Sequence, residues 1–189
     1  MISDGVMQLH EAGKIANRKP LHDGLTVATF ALGSRALYDW LDGHPAVRIL
    51  PVTDVNGAGV LARLPRLTSI NGALAVDLAR PSRGRHDRSP AVFGTGGHES
   101  FVTGAGDAPE GRSFLCLRST ATVDGTTVST IVDAFPRGTR VTTPRHHVRW
   151  VVTEHGAVDL SVLDDAERPR ALIALADPQF RDALSRAIV

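Results

Sequence analysis

The sequence has one cysteine, two lysines, few aromatic residues and almost no excess charge of either sign. Because Cys116 is alone, an internal disulfide and a zinc site built from cysteines are both excluded. The 21 basic and 20 acidic residues nearly cancel. This balance argues against a nucleic-acid-binding protein, which usually carries a strongly basic surface.

Long hydrophobic runs are also missing, so the sequence predicts no membrane span. The first 13 residues include Asp4 and Glu11 and lack a basic start, which is not the pattern of a secretory signal peptide. Hydrophobic residues make up 42% of 189 residues, enough for the core of one folded domain. We therefore expect a single cytoplasmic domain over residues 1–189.

Apolar residues alternate between helical and extended spacing along the chain. Helical spacing is present over 1–12, 35–41, 58–64, 167–176 and 180–188, with Pro178 at the first position of the last helix. Extended segments are predicted over 26–32, 47–52, 69–78, 91–93, 113–117, 128–132, 141–143 and 149–153. This alternation predicts an α/β fold with a mostly parallel sheet and helices on both faces.

The densest chemical signal is the glycine-rich stretch GTGGHE at 94–99, directly after the predicted strand 91–93. Glycines allow a ligand to approach the backbone closely and let amide N–H groups point at an anion or oxyanion. The alternative is a tight strand-to-helix turn without a ligand. The spacing does not match the dinucleotide-binding fingerprint.

Two polar residues follow predicted strands, where α/β sheets place their sites. Glu154 ends the β-branched run 149–153, and Asn56 follows the strand 47–52. Glu154 is alternatively a solvated turn acid or a helix cap, and Asn56 is alternatively part of an Asx turn.

The sequence gives little support for another nucleophile or for a set of metal ligands. There is no Gly-x-Ser-x-Gly motif, and Cys116 lies in an apolar run typical of a buried core thiol. His146 and His147 are adjacent, so on an extended strand they would point to opposite faces. We predict no metal site.

Several motifs together resemble the C-terminal domain of the acetyl-CoA hydrolase and 4-hydroxybutyrate CoA-transferase family. They occur in family order from end to end of the chain: MISDGVMQLHEAG (1–13), LPVTDVN (50–56), LTSINGALAVDL (67–78), GTGGHESF (94–101), GRSFLCLRSTAT (111–122), VTTPRHHVRWVVTEHG (141–156) and RALIALADPQFRDAL (170–184).

The resemblance implies two similar α/β domains with the acyl-CoA site between them, and coenzyme A as acyl-CoA substrate. Members of the family transfer CoA through a glutamyl-CoA thioester on the enzyme, and some hydrolyse acyl-CoA. By this resemblance Gly96 and Gly97 would hold the oxyanion, with Glu154 and His98 beside them as catalytic candidates. The CoA-binding candidates are Asn56, Gly94, Glu99 and Arg112.

The sequence also departs from the family pattern. The nucleophilic glutamate of the family precedes the segment that begins at Met1, and the N-terminal domain is not part of this sequence. His98 replaces the glutamine of the family's Gly-Gly-Gln, and Ala75 replaces a usual acidic residue. An arginine-rich loop at 80–88 replaces a Gly-Gln-containing stretch.

Three functional hypotheses follow. In the first, the chain is half of a CoA-transferase or hydrolase, and a second chain supplies the N-terminal domain and the glutamate. In the second, it is a non-catalytic scaffold or a module that binds acyl-CoA or an acyl-pantetheine arm, with the 80–88 loop meeting the CoA phosphates or simply exposed to solvent. In the third, His98, Glu99 or Glu154 acts as general acid or base in a different acyl-transfer or hydrolytic reaction.

Overall fold

The computed structural model describes residues 1–78, 96–136 and 138–188. The helices are α1 (Asp4–Glu11), α2 (Arg35–Leu41), α3 (Val52–Asn56), α4 (Ala58–Leu61), α5 (His98–Asp107), α6 (Glu167–Leu175) and α7 (Pro178–Ala187). The strands are β1 (Thr26–Ala28), β2 (Val47–Ile49), β3 (Thr68–Gly72), β4 (Val76–Asp77), β5 (Arg112–Cys116), β6 (Thr120–Val123), β7 (Thr126–Ser129), β8 (Ile131–Val132), β9 (Trp150–Thr153) and β10 (Gly156–Asp159). Two short 3-10 helices span Arg145–His147 and Leu160–Val162.

The largest sheet has the strand order β10-β9-β5-β3. Strands β3, β5 and β9 run parallel, and β10 returns antiparallel to β9 through a tight hairpin. Two smaller parallel pairs, β1 with β2 and β4 with β8, and the antiparallel β6–β7 hairpin complete the strands. The predicted class, α/β with mostly parallel pairing, is confirmed.

One face of the main sheet carries the core. Leu115 of β5 and Val151 of β9 are paired, and both are buried. Helices α5 and α6 lie on this face, because Arg149 donates to the carbonyl of Gly106 at 3.0 Å and Thr153 donates to that of Leu175 at 2.8 Å. These contacts fix the direction of α5: its C-terminus lies at the amino ends of the strands and its N-terminus at their carboxyl ends.

The first 50 residues form a separate small layer. Ile2 bridges Ala31 in parallel, and α1 and α2 contribute Val6, Met7 and Leu37 to one apolar cluster with Ile2. Both helices therefore lie on the same face of the β1–β2 pair.

Two helices begin at residues whose side chains cap them. The Ser34 hydroxyl accepts from the amide of Leu37 at the start of α2, and the Asp177 carboxylate accepts from that of Gln179 at the start of α7. Pro178 occupies the first turn of α7, as its spacing predicts. No helix among the described residues is long and apolar enough to span a membrane.

Two local predictions are wrong, and two others lie outside the described residues. Residues 141–143 are not a strand, because a turn leads from them into the 3-10 helix Arg145–His147. Cys116 is only partly buried, because it points away from the Leu115 face of the sheet. The predicted strand 91–93 and the loop 80–88 lie outside the described residues.

Candidate functional site

The N-terminus of α5 is built on two glycines. Gly96 has φ +60°, a conformation that disfavours other residues, and Gly97 caps the helix without a side-chain hydrogen bond. The first amide groups of a helix have no partner within the helix, and the helix dipole adds positive potential there. Gly96 and Gly97 therefore have the geometry of an oxyanion or anion site; Gly94 lies outside the described residues.

Asn56, at the end of α3, is brought against this turn although it lies 41 residues earlier in the chain. A Cβ atom built on Gly97 would lie only 2.6 Å from Asn56 Nδ2. Any side chain at position 97 would clash with the Asn56 amide, so this contact requires glycine. The close contact joins two of the residues that the sequence identifies as candidates.

His98 begins α5 and lines a cavity of about 770 Å³. Its Nε2 atom is buried and has no hydrogen-bond partner in the described part of the chain. Burial lowers the pKa of His98, and nearby Glu99 only partly opposes that effect. The ring is therefore mostly neutral at pH 7 and can act as a hydrogen-bond donor or acceptor at Nε2.

The cavity is mainly apolar, and its charged lining residues are Asp77 and three arginines. Besides His98 it is lined by Leu115, Phe135 and Val148, and by three arginines on two segments. The arginines are Arg140, Arg145 and Arg168.

Arg168 is a site candidate that the sequence analysis missed. Its guanidinium donates to the carbonyl of Arg145 at 2.9 Å, and its Nε is buried without a partner among the described residues. Burial lowers its pKa, as does the charge of Arg145. A signal was present, because a basic residue in the first turn of a helix opposes the helix dipole.

Glu99 faces away from the cavity and joins α5 to the 3-10 helix Arg145–His147. His147 Nδ1 lies 2.5 Å from Glu99 Oε1, and Thr103 donates to the same oxygen at 3.1 Å. Burial would raise the pKa of Glu99, but the hydrogen bonds from His147 and Thr103, the nearby Thr143 hydroxyl and the charge of His147 lower it overall. The pair fixes the segment that carries Arg145 to the helix that carries the glycine turn.

His146 and His147 are not on opposite faces of a strand, as their adjacency on an extended chain would require. They lie in the 3-10 helix, with ring centroids 4.2 Å apart. Pro144 leads into this turn. The β-branched residues near it favour an extended strand, so the sequence pattern did not predict the turn. Within residues 1–78, 96–136 and 138–188, no group of three or more histidines, cysteines and carboxylates is placed to hold a metal ion.

Glu154 lies in the β9–β10 turn and is exposed. Its carboxylate accepts from the amide of Ser119 at 2.9 Å and from the Ser119 hydroxyl at 2.8 Å. Its own backbone amide and these two bonds lower the pKa of Glu154 to about 2. Glu154 is thus ionised at neutral pH, and it fastens the loop after β5 to the end of β9.

The structure does not gather all the candidates in one place. Glu154 is not among the residues that line the cavity, and neither is Arg112. Arg112 is exposed at the first position of β5, at the amino end of the strand, whereas the glycine turn lies at the carboxyl end. Asn56, Gly97 and His98 are the candidates that meet.

These features define the class of protein: an α/β domain with a glycine-rich helix N-terminus, an adjoining side-chain amide and a basic cavity at the carboxyl edge of a parallel sheet. The family described as acetyl-CoA hydrolase/transferase C-terminal domain matches residues 33–188. The chain belongs to this family.

Known relatives agree in sequence and in structure. The chain is 38% identical to 4-hydroxybutyrate coenzyme A transferase of Clostridium kluyveri over 97% of its own length and 43% of that protein. It is 36% identical to succinyl-CoA:cyclohexane-1-carboxylate CoA transferase of Geobacter metallireducens, covering 99% of the chain and 43% of the relative. The crystal structure of RipA from Yersinia pestis superposes with a TM-score of 0.82 at 37% identity, over 98% of this chain and 40% of RipA. The chain thus spans less than half the length of these relatives.

Proposed function

We propose that the chain is the C-terminal half of an enzyme that transfers CoA from an acyl-CoA to a carboxylic acid. A second chain supplies the N-terminal domain and the nucleophilic glutamate. Family membership and the CoA-transferase relatives support the reaction class. The observation that carries the proposal is the contact of Asn56 with Gly97 at the start of α5, beside the cavity lined by His98.

The reaction needs an oxyanion site and a carboxylate nucleophile. The partner's glutamate attacks the thioester carbonyl, the C–S bond breaks, and CoA leaves as a thiolate, which gives a mixed anhydride. The thiolate then attacks the glutamyl carbonyl, releases the original acyl group as a carboxylate and leaves a glutamyl-CoA thioester. The acceptor acid reverses these steps. The amides around Gly97 stabilise each tetrahedral oxyanion.

His98 and Asn56 fit neutral hydrogen-bonding roles in this cycle. Because burial lowers the pKa of His98, its ring is neutral at pH 7 and presents one hydrogen-bonding nitrogen, as a glutamine amide would. The Asn56 side chain forms no hydrogen bond within the described residues, so it is available to a ligand amide or carbonyl at the glycine turn.

The lining of the cavity supports binding of the carboxylic acid substrate. Its three arginines, Arg140, Arg145 and Arg168, outnumber the acidic Asp77 in the described lining, so the apolar interior suits a carboxylate with an aliphatic body. Exposed Glu154 has a positioning role, since its carboxylate is held by Ser119.

The decisive experiment is affinity capture of the chain from its native host, followed by assay of the complex. We expect a partner in fixed stoichiometry that resembles the N-terminal part of CoA transferases. The purified complex should move CoA from acetyl-CoA to butyrate, and mass spectrometry should detect CoA bound to a glutamate of the partner. His98→Gln should retain transfer, because both side chains are neutral.

The alternatives give different outcomes. A chain that is captured alone and binds CoA without turnover is a binding module. A chain that hydrolyses acetyl-CoA alone, with a pH profile that His98→Ala alters, has a different acyl-transfer activity. Either result refutes the two-chain enzyme.

A matched pair of variants tests the site itself. Gly97→Ala places a Cβ 2.6 Å from Asn56 Nδ2 and must displace the amide, whereas Gly106→Ala on the same helix meets Arg149 only at an ordinary 3.7 Å. Loss of one hydrogen bond, about 1 kcal/mol, predicts roughly fivefold weaker CoA binding for Gly97→Ala. Calorimetry should show no change for Gly106→Ala; equal affinities for both variants would remove Asn56 from the site.

A further inference from the structure

Two nitrogen atoms of side chains that line the cavity are buried and have no hydrogen-bond partner among the described residues: His98 Nε2 and Arg168 Nε. Buried polar atoms are nearly always paired, so two such atoms on one cavity call for a polar partner inside it. The Thr143 hydroxyl also lines the cavity, but it lies near the Glu99 carboxylate. The volume of about 770 Å³ is in the range of pockets that hold a whole organic ligand.

The Arg168 guanidinium is held in place by backbone carbonyl groups. Its Nη2 atom donates to the carbonyl of Arg145 at 2.9 Å, and its Nη1 atom donates to that of Leu160 at 3.5 Å. A guanidinium has five N–H donors, and these two bonds leave the buried Nε–H unused. An arginine that is fixed in this way can bind a carboxylate with defined geometry.

The charges around the cavity favour one anionic group. The described lining carries three arginines and Asp77, and Arg145 also pairs with Asp165, which is exposed. Both acids favour the charged form of Arg168. Three arginines and two acids still leave one positive charge in excess among the described residues. Since a buried charge is costly unless it is paired, a carboxylate beside Arg168 would balance this excess.

The two unpartnered nitrogens lie at different ends of the cavity. The Leu160 amide donates to the carbonyl of Arg149, just before β9, so Arg168 lies near the amino end of that strand. His98 instead begins α5, at the carboxyl ends of the strands. Between them the lining includes apolar Leu115. A ligand that satisfies both ends therefore has two polar groups joined by an aliphatic body.

We propose that Arg168 is a specificity-determining residue that binds the second carboxylate of a short aliphatic dicarboxylic acid, while the first carboxylate lies beside His98 and the glycine turn. The Nε–H of Arg168 donates to one carboxylate, and the Nε2–H tautomer of His98 donates to the other. This inference deepens the proposed function and rests on it for the reaction of the first carboxylate.

The test compares glutarate with pentanoate, which has the same number of carbon atoms but a methyl group in place of one carboxylate. Calorimetry on the 189-residue chain at pH 7 should show about tenfold tighter binding of glutarate, because one more charge-assisted hydrogen bond forms. Glutarate should also shift the NMR signal of the Arg168 Nε–H.

Arginine variants assign this preference to one residue. Arg168→Gln should bind the two acids alike, because the charge and the Nε–H are both lost. Arg181→Gln is the matched control, since Arg181 is also partly buried and donates to a backbone carbonyl, that of Ala176, but is not part of the described lining. It should keep the preference for glutarate.

A second pair of variants covers the case in which Arg168→Gln does not fold. Ala75 lines the cavity, so Ala75→Glu brings a tethered carboxylate into it, and Ala75→Gln brings a neutral side chain of the same size. Glutarate should bind about tenfold more weakly to Ala75→Glu than to Ala75→Gln.

Three results would each overturn the assignment: equal affinity of the native chain for the two acids, an Arg168 Nε–H signal that glutarate does not shift, or equal binding of glutarate by the two Ala75 variants. The assay contains neither acyl-CoA nor a partner, so failure of CoA transfer in the captured complex leaves its result unaffected. Conversely, a chain without this preference can still belong to an enzyme that transfers CoA to monocarboxylic acids.

Discussion

The packing of α5 against α4 depends on the absence of a side chain at one position. A Cβ on Gly104 would lie 2.4 Å from Leu61 Cβ and 2.9 Å from Leu61 Cδ1, and Leu61 is only 2% exposed. Since the nearest atom is a Cβ rather than the end of a flexible chain, relief requires α4 to move by about 1 Å. We therefore expect Gly104→Ala to strain the helix pair.

Two opposing effects set the size of the change. Alanine stabilises a helix interior relative to glycine by about 1 kcal/mol, whereas overpacking costs about 1–3 kcal/mol. Gly106→Ala has the first effect without the second, because its nearest neighbour lies at 3.7 Å. The two variants should differ by about 1–3 kcal/mol in free energy of unfolding, or roughly 2–12 °C in Tm for a domain of this size.

Urea and thermal unfolding of the purified variants measure this difference. Because α4 follows α3, the same displacement should move Asn56 and weaken CoA binding by Gly104→Ala but not by Gly106→Ala. If Gly104→Ala is as stable as Gly106→Ala, α4 and α5 are not packed as described, and the argument that connects them to the Asn56 contact is wrong.

Two further predictions concern carboxylates. The folded-state pKa of Glu99 is lowered, so its bond to His147 should stabilise the domain fully above about pH 4.5 and progressively less at lower pH. The native protein should therefore have a higher Tm than Glu99→Gln above about pH 4.5, and this difference should shrink below that pH. The pKa of Glu154 is about 2, so the NMR signal of its side-chain carboxyl carbon should not titrate between pH 4 and 8. The loss of stability caused by Glu154→Gln should be constant above pH 4.5 and should vanish toward pH 2. A Glu154 titration near neutral pH would contradict the bonds from Ser119.

Elements with local signals were predictable from the sequence. Helix α2 has its predicted bounds because Ser34 caps it and its apolar residues follow one face, and Pro178 marks the start of α7. Strand β9 is a run of aromatic and β-branched residues, and β5 has the apolar run Phe114–Cys116; both are typical of strands. In these segments local preference and tertiary packing agree.

The elements that were missed depend on contacts distant in sequence. Helix α5 contains Gly104 and Gly106, which disfavour a helix locally, yet Gly104 is required by Leu61 of α4. Strand β10 has little apolar character and forms because β9 offers it an edge through a tight turn. Neither requirement can be read from the residues of the element itself.

The candidate site shows the same division. The motif at 94–99 identified the glycine turn, but only the fold shows that Asn56 lies against Gly97 and that Glu154 is bound by Ser119 instead. Asn56 ends α3, and α4 follows it and packs on α5 through Leu61 and Gly104. The packing of these helices therefore brings the Asn56 amide to the glycine turn, and neither the motif at 50–56 nor the motif at 94–101 signals that contact by itself.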